Sequence, residues 1–232
     1  HLLLDASMPG LLSLADMPAA IAAAKTLGAD RIVAPIFSIT GMLARRPELA
    51  SQLTDPSKSG SAIRELARAM TADDWLALAK RLNTVGADLA KAGIRLGYHT
   101  HNVDFAKLPN GDTVLDLLIA NTDAKLVEFE LDLGWVKAAG LDPATTLIRY
   151  ADRVSQLHLK DLGATPANYS LDLNTAAFGA GVQDWPAIAE AIRRSSVRHL
   201  YVEQENPIRQ SGLASAASCY AFIKPVLAKA GV

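Results

Sequence analysis

Short apolar segments alternate with longer Ala- and Leu-rich segments along the whole chain, and this alternation limits the fold more than any other feature. The short segments have the length of strands, whereas the long ones show the spacing of amphipathic helices. Strands that alternate with helices predict a mainly parallel sheet covered by helices, which is an α/β fold. No linker-like or low-complexity stretch divides residues 1–232, so the sequence predicts a single domain.

The alternation assigns each part of the chain to an element. The predicted strands are residues 1–4, 31–36, 94–100, 126–133, 154–161 and 199–205. The predicted helices lie at about residues 15–28, 41–53, 61–92, 112–121, 143–151, 185–195 and 213–230. Within 61–92, the segment "TADDW" predicts a helix start capped by Thr71, and Gly93 predicts its end.

Composition excludes several classes of partner. The formal net charge of −1 provides no basic field for a nucleic acid and no polybasic patch for a membrane surface. The single cysteine, Cys219, excludes an internal disulfide and a thiolate metal site. No apolar run reaches the roughly 18–20 residues of a membrane span, and no signal peptide is recognisable. A cytoplasmic protein that binds neither nucleic acid nor membrane is therefore expected.

Two parallel α/β folds compete. A doubly wound dinucleotide-binding fold should carry a glycine-rich turn after its first strand, but "FGAGVQDW" has only Gly179 and Gly181 and follows a loop. Barrel enzymes place their chemistry at the carboxyl ends of the strands, where the unusual polar residues of this chain cluster. The sequence therefore favours a TIM barrel of the (β/α)8 type.

Polar side chains recur with a period of two in four of the predicted strands. Because strand residues two apart share a face, each strand presents its polar residues together. The sets are His99 and His101; Glu128, Glu130 and Asp132; Gln156, His158 and Lys160; and Tyr201, Glu203 and Glu205. A purely structural parallel strand would be apolar on both faces. Burial of several unpaired charges is costly, so these groups are expected to pair or to bind a cation.

A metal site follows from this arrangement. Asp132, His158 and Glu203, with a fourth ligand from the 94–101 strand, would form a nitrogen and oxygen site for a divalent cation. Without thiolates the site suits Mn²⁺, Co²⁺, Mg²⁺ or Zn²⁺ and does not choose among them. Adjacent oxygens of a hydroxy-ketone would bind at open positions, where the cation would stabilise an enediolate while carboxylates move protons.

Several motifs carry a resemblance to a known family. They are "LGYHTHNVDF", "VEFELDLGWVKAAGLDP", "RVSQLHLKDL", "FGAGVQDW" and "YVEQE". In these motifs the chain resembles the sugar phosphate isomerase/epimerase family, xylose-isomerase-like TIM barrels related to endonuclease IV, over about residues 15–230. The resemblance implies a metal held by an acid together with Asp132, His158 and Glu203, and two carboxylates in acid/base roles on a sugar-like substrate.

The chain departs from the family pattern in the segment around its histidine pair. The related branch reads Tyr-His-Asn-His-x-x-Glu-Phe, whereas this chain has Thr100 for the Asn and Asp104 for the Glu. His99 stands near the position of a metal-binding Glu and is the predicted first ligand, while His101 is predicted to contact substrate. Ala180 replaces the acid between the two glycines of the later loop.

The N-terminal part also departs from the family. Relatives begin with two further βα units before a segment such as "HLLLD", so the first two units of the barrel are expected to be absent here. The chain would then be a fragment, or an incomplete barrel closed by a partner chain in a homo-oligomer.

Each site residue has a predicted role and a structural alternative. Glu203, Asp132 and Lys160 are predicted to be catalytic, with Glu203 and Asp132 as the leading acid/base pair. The predicted substrate contacts are His101, Asp104, Trp135, Lys160 and Glu205. The predicted metal ligands are His99, Asp132, His158 and Glu203.

In the structural alternatives, the same residues stabilise the fold and take no part in chemistry. Asp132 would only cap the following turn, and His158 would be a core histidine. Glu130 would pair with a buried Arg or Lys, and Lys160 would pair with Asp161 rather than bind a phosphate or carboxylate. Trp135 would serve packing alone. Trp75 and Trp185 are predicted core residues.

The function that these residues favour is a metal-dependent isomerase or epimerase acting on a carbohydrate, a ketose or related polyol. A lyase or dehydratase on a keto-sugar or cyclic polyol would use the same residues. A degenerate, non-catalytic barrel subunit is the alternative outside enzymology. The net charge disfavours the endonuclease branch.

Overall fold

A computed structural model describes residues 2–3, 17–35, 46–53, 55, 57–164, 166–171, 173–204 and 211–232 of the chain. The chain forms two compact units. The first unit comprises His1–His99 and Val103–Glu128, and the second comprises Thr100–Asn102 and Phe129–Val232. The prediction of a single domain stays a prediction.

The strands of the first unit are parallel and follow chain order. They are β1 (Leu2–Leu3), β2 (Arg31–Ala34) and β3 (Arg95–His99). Leu2 pairs with Ile32, and Ile32 pairs with Leu96. Every residue of β2 is buried, as expected for a parallel strand covered on both faces.

Helices follow these strands along the chain. The described helices are α1 (Met17–Leu27), α2 (Ala50–Leu53), α3 (Ser59–Arg68), α4 (Ala72–Lys91) and α5 (Val114–Asn121), with 3₁₀ turns at Pro47–Leu49 and Asn102–Phe105. Thr71 caps α4 in a capping box with Asp74, which confirms the predicted start. Trp75 opens the buried face of α4 and is 2% exposed, which confirms it as a core residue.

The second unit repeats the pattern. Its strands β4 (Val127–Asp132, from Phe129 onward), β5 (Val154–Leu159) and β6 (His199–Val202) are parallel and adjacent in that order. Its helices are α6 (Leu133–Ala138), α7 (Pro143–Arg149), α8 (Trp185–Arg194) and α9 (Gly212–Ala230). None of the helices in the described ranges has the length and apolar character needed to cross a membrane.

The strand register of the second unit positions its polar residues side by side. Asp132 pairs with His158, and His158 pairs with Tyr201 on β6. Just beyond β6, the backbone N–H of Glu203 donates to the carbonyl of Leu159 at 2.9 Å. Because parallel strands end at the same edge of the sheet, this register brings Asp132, His158 and Glu203 to one edge of the second unit.

The predicted parallel α/β architecture is confirmed, with differences at the ends of elements. A strand lies in each of the six predicted strand segments. The predicted strand over 199–205 ends at Val202, so Glu203 lies beyond it. Helix α6 lies outside the predicted helices, because its six residues are too few to show the spacing of an amphipathic helix. The chain instead turns into a helix directly after Asp132, whose side chain caps it.

A buried ion pair stabilises the first unit. Arg31, which is 1% exposed, lies with its Nε atom 2.9 Å from the Glu128 carboxylate. Arg95 also contacts Glu128, at 3.3 Å, but its side chain is about half exposed. Arg31 therefore depends on the negative charge of Glu128 more than Arg95 does, because the buried Arg31 guanidinium is not solvated by water.

We expect Glu128→Gln to lower the free energy of unfolding by about 2–3 kcal/mol, because the buried Arg31 loses its counter-charge while Glu128 is itself partly exposed. Urea denaturation followed by circular dichroism measures the change. Glu48→Gln is the matched control, since Glu48 pairs with Arg46 at the surface of the same unit. Equal urea midpoints for the two variants would contradict the prediction.

Candidate active site

Four polar side chains of the second unit, Asp132, His158, Lys160 and Glu203, form what we call the polar cluster. They lie at or just beyond the carboxyl ends of β4, β5 and β6. Asp132, His158 and Lys160 are buried, whereas about a third of the Glu203 side chain is exposed to solvent. The cluster is therefore open to solvent on its Glu203 side.

The two carboxylate oxygens of Asp132 serve different purposes. Oδ1 accepts hydrogen bonds from the backbone N–H groups of Gly134 and Trp135, at 2.7 and 3.0 Å, and so caps α6. Oδ2 lies 3.2 Å from the Lys160 ammonium and 4.0 Å from Nδ1 of His158. Asp132 therefore caps α6, as the structural alternative predicts, while its Oδ2 atom is directed at the polar cluster.

Thr100 fixes the strand end that carries Asp132. Its backbone N–H donates to the carbonyl of Glu130 at 3.0 Å, and its Oγ1 accepts from the N–H of Asp132 at 3.2 Å. Thr100 is wholly buried. The threonine that departs from the family motif thus orients the backbone of a predicted metal ligand, a role that sequence reasoning missed.

His158 lies between two carboxylates. Its Nδ1 is 2.8 Å from Oε2 of Glu203, and its Nε2 is 3.2 Å from Oε2 of Glu130. Glu130 is completely buried. Glu130 reaches His158 because both side chains project from the same face of adjacent strands, and its pairing with a buried Arg or Lys stays a prediction.

These contacts set the charge state of the polar cluster. Burial alone would lower the pKa of His158, but the interactions with Glu130 and Glu203 outweigh it and raise that pKa to about 10. Burial would raise the pKa of Glu203, but the hydrogen bond from His158 and the charge of Lys160 hold it well below its usual range. His158 is therefore a cation and Glu203 an anion at neutral pH.

Lys160 is held on several sides. Its Nζ lies 3.2 Å from Oδ2 of Asp132, 2.9 Å from Oε2 of Glu203 and 5.2 Å from the centre of the Trp135 ring. A Cβ atom on Gly134 would lie 2.8 Å from the Cβ and Cδ atoms of Lys160, so the glycine leaves the space that the lysine stem occupies. The "DLGW" segment thus supplies a charge partner, the space and an aromatic face for one lysine.

Asp161 anchors the loop between β5 and α8, and the idea that it pairs with Lys160 is wrong. Alternation along the chain directs the two side chains to opposite sides. The Asp161 carboxylate is buried and accepts hydrogen bonds from N–H groups of that loop. These belong to the backbones of Leu162, Gly179, Gly181 and Gln183 and to the indole ring of Trp185.

The anchored loop supports the polar cluster through Gln183. The Nε2 atom of Gln183 donates to the backbone carbonyls of Leu133 and Lys160, each at 3.0 Å. It therefore ties the start of α6 to the end of β5. A Cβ on Gly181 would lie 2.0 Å from Oδ1 of Asp161, which explains the glycine at this position.

The polar cluster fits a divalent cation. Asp132, His158 and Glu203 each offer a ligand atom, and these atoms lie within 4.8 Å of one another. Two carboxylates and one imidazole form the nitrogen and oxygen donor set that Mn²⁺, Co²⁺, Mg²⁺ and Zn²⁺ accept. Glu130 at the far nitrogen of His158 matches the carboxylate that commonly orients a metal-binding histidine. A bound cation would displace the proton on Nδ1.

Other predicted site residues have different surroundings. In the first unit, His99 ends β3 and is buried, and its role as a ligand stays a prediction. Asp104 is wholly buried there and accepts a hydrogen bond from the Tyr98 hydroxyl at 3.0 Å, so substrate contact also stays a prediction. In the second unit, His101 packs on Trp135 with ring centres 5.1 Å apart. Glu205 lies outside the described residues.

Trp135 combines packing with proximity to the polar cluster. It is 6% exposed and forms an apolar cluster with Ala138 and Leu162, which Leu171 and Leu173 extend. Its ring also faces the Lys160 ammonium. Packing therefore accounts for much of its burial, and its predicted contact with substrate stays a prediction.

Comparison with known families and proteins gives consistent matches. The model of the family described as xylose isomerase-like TIM barrel matches residues 11–221. The inosose dehydratase of Lacticaseibacillus casei is 29% identical in an alignment of 136 positions that covers 54% of this chain and 45% of that protein. The inosose dehydratase of Clostridium perfringens is 33% identical over 90 residues, covering 39% and 29%. The matched segments thus span less than half of these relatives.

Solved structures share the fold over nearly the whole chain. A sugar phosphate isomerase/epimerase from Parabacteroides distasonis superposes with a TM-score of 0.66 at 21% identity, covering 97% of this chain and 70% of that one. A xylose isomerase-like TIM barrel protein from Mycobacterium smegmatis, in complex with magnesium, gives 0.59 at 19% identity, covering 98% and 70%. At these identities the likeness shows the fold.

Proposed function

The chain belongs to the xylose isomerase-like TIM barrel family, and from this premise we propose that it is a metal-dependent isomerase or epimerase of a sugar or related polyol. Membership of the family confirms the barrel class that the motifs predicted. The reaction would begin with removal of a proton from the carbon next to a carbonyl, giving an enediolate, and would end with return of a proton to a different carbon or face.

One observation carries the proposal. In the second unit, two carboxylates, an imidazole and an ammonium converge at the ends of three adjacent strands, mostly buried but open to solvent at Glu203. Structural strands rarely gather so many charges, because their desolvation is costly. Charged groups arranged around an opening are instead what general acid/base chemistry requires.

Each residue of the polar cluster would have a defined task. Asp132, His158 and Glu203 would hold the divalent cation, which when bound polarises the substrate carbonyl and stabilises negative charge. Glu203 is ionised and the most exposed member, so it would accept the substrate proton. Its basicity would increase when the Lys160 ammonium turns from it toward a substrate oxygen.

A dehydratase reaction is the second candidate, and the similarity to inosose dehydratases over part of the chain favours it. The same proton removal would be followed by departure of a hydroxyl group β to the carbonyl, which leaves as water after it receives a proton. The first step is shared, so the polar cluster supports both reactions. They differ in product mass, because only dehydration loses water.

The experiment is to incubate the metal-free protein in D₂O with ketoses and inosose-like cyclic ketones, with and without Mn²⁺, and to analyse products by NMR and mass spectrometry. We expect deuterium at the carbon next to the carbonyl only when Mn²⁺ is present. Deuterated products of unchanged composition would identify an isomerase or epimerase, and loss of water would identify a dehydratase. Absence of both deuterium and dehydrated product from the substrate panel would contradict the proposal.

A further inference from the structure

The Lys160 ammonium contacts the two carboxylates that would hold a cation. Its Nζ is 3.2 Å from Oδ2 of Asp132 and 2.9 Å from Oε2 of Glu203. Oδ1 of Asp132 is already engaged in capping α6, so Oδ2 is the oxygen that remains for a metal. The same Oε2 and Oδ2 atoms are those nearest to Nδ1 of His158. A divalent cation and the ammonium would therefore compete for the same two carboxylates, and at Asp132 for the same oxygen.

The surroundings of Lys160 fix its backbone and the stem of its side chain. Its stem fills the space that the missing side chain of Gly134 leaves, and its ammonium lies over the Trp135 ring. The backbone carbonyl of Lys160 accepts from Gln183 at 3.0 Å. With the stem and backbone fixed, the end of the side chain can move away from the carboxylates only by rotation of its last bonds.

We propose that Lys160 is a resident counter-cation that competes with the divalent metal for Asp132 and Glu203 and so sets the metal affinity of the site. The inference rests on the metal site of the proposed function. Like charges repel strongly in a buried site, so the ammonium must leave both oxygens when the metal arrives. The displaced ammonium is then free to bind a substrate oxygen. Binding of the metal and binding of the substrate by Lys160 are therefore coupled.

The test is titration of the metal-free protein with Mn²⁺ by isothermal calorimetry, with wild type, Lys160→Met and Lys160→Arg. We expect Lys160→Met to bind Mn²⁺ at least about tenfold more tightly, because the competing charge is gone while the length of the side chain is kept. Lys160→Arg keeps the charge and is expected to bind no more tightly than wild type. Lys229→Met, in the exposed last turn of α9, is the matched control and is expected to bind as wild type does.

The outcomes separate this inference from the proposed function. Binding of Mn²⁺ by wild type with equal or weaker binding by Lys160→Met would overturn the competition and leave the metal-dependent enzyme standing. Failure of every variant to bind Mn²⁺ would overturn both. If Lys160→Met does not fold, Lys160→Gln replaces it, and tighter binding of Mn²⁺ by Lys160→Gln is the expected result. Binding by Lys160→Gln equal to or weaker than wild type overturns the inference.

Discussion

Glu203→Gln is expected to lower turnover about 1,000-fold under saturating Mn²⁺, which corresponds to about 4 kcal/mol of activation free energy. The amide cannot accept the substrate proton, and it also removes the negative charge that His158 and Lys160 contact at 2.8 and 2.9 Å. The measurement is the rate of deuterium incorporation into substrate in D₂O, because this step reports proton removal directly.

The control for this change is Glu190→Gln. Glu190 is an exposed residue of α8 and pairs with Arg193 at the surface of the same unit. The control should exchange deuterium at the wild-type rate. If Glu203→Gln also kept that rate at saturating Mn²⁺, Glu203 would not be the base, and the role would pass to another carboxylate.

Asp132→Asn is expected to weaken Mn²⁺ binding by about 100-fold or more, which exceeds the effect of losing an outer partner of a metal ligand. The asparagine oxygen can still accept from the N–H groups of Gly134 and Trp135, so the cap of α6 should survive. At the position of Oδ2 the asparagine presents its NH₂ group, which neither binds a cation nor pairs with the Lys160 ammonium. Calorimetry measures the affinity, and thermal unfolding checks the fold.

Asp142→Asn is the matched control for Asp132→Asn. Asp142 caps α7 by accepting from the N–H of Thr145 at 2.7 Å, and its side chain is exposed. Both variants replace a capping aspartate by asparagine, but only one removes an oxygen from the polar cluster. A similar Mn²⁺ affinity of the two variants would show that Asp132 acts only as a cap.

The sequence predicted the strands of the second unit and the shared face of their polar residues. Alternation along a strand has a fixed period of two, and parallel strands end together, so His158 and Asp132 were expected to meet. The register confirms that they are paired neighbours. This part of the site follows from backbone geometry, which local sequence specifies well.

Other features of the site depend on side-chain direction and on contacts distant in sequence. Whether Asp132 caps α6 or faces the polar cluster depends on its rotamer. In the structure Oδ1 caps α6 and Oδ2 faces the polar cluster. Alternation directs Asp161 away from Lys160, but it could not choose among the acids of the neighbouring strands as the partner of Lys160. Gln183 reaches Lys160 through a long loop that has no regular period, so no pattern in the sequence indicated the contact.

The most direct test of the central claim is the anomalous scattering of crystals grown from the protein with saturating Mn²⁺. We predict a single strong peak at bonding distance from Oδ2 of Asp132, an imidazole nitrogen of His158 and a carboxylate oxygen of Glu203, with the Lys160 ammonium displaced from both acids. A map without a peak at these residues, in which Lys160 still contacts Asp132 and Glu203, would contradict a metal-dependent enzyme built on the polar cluster.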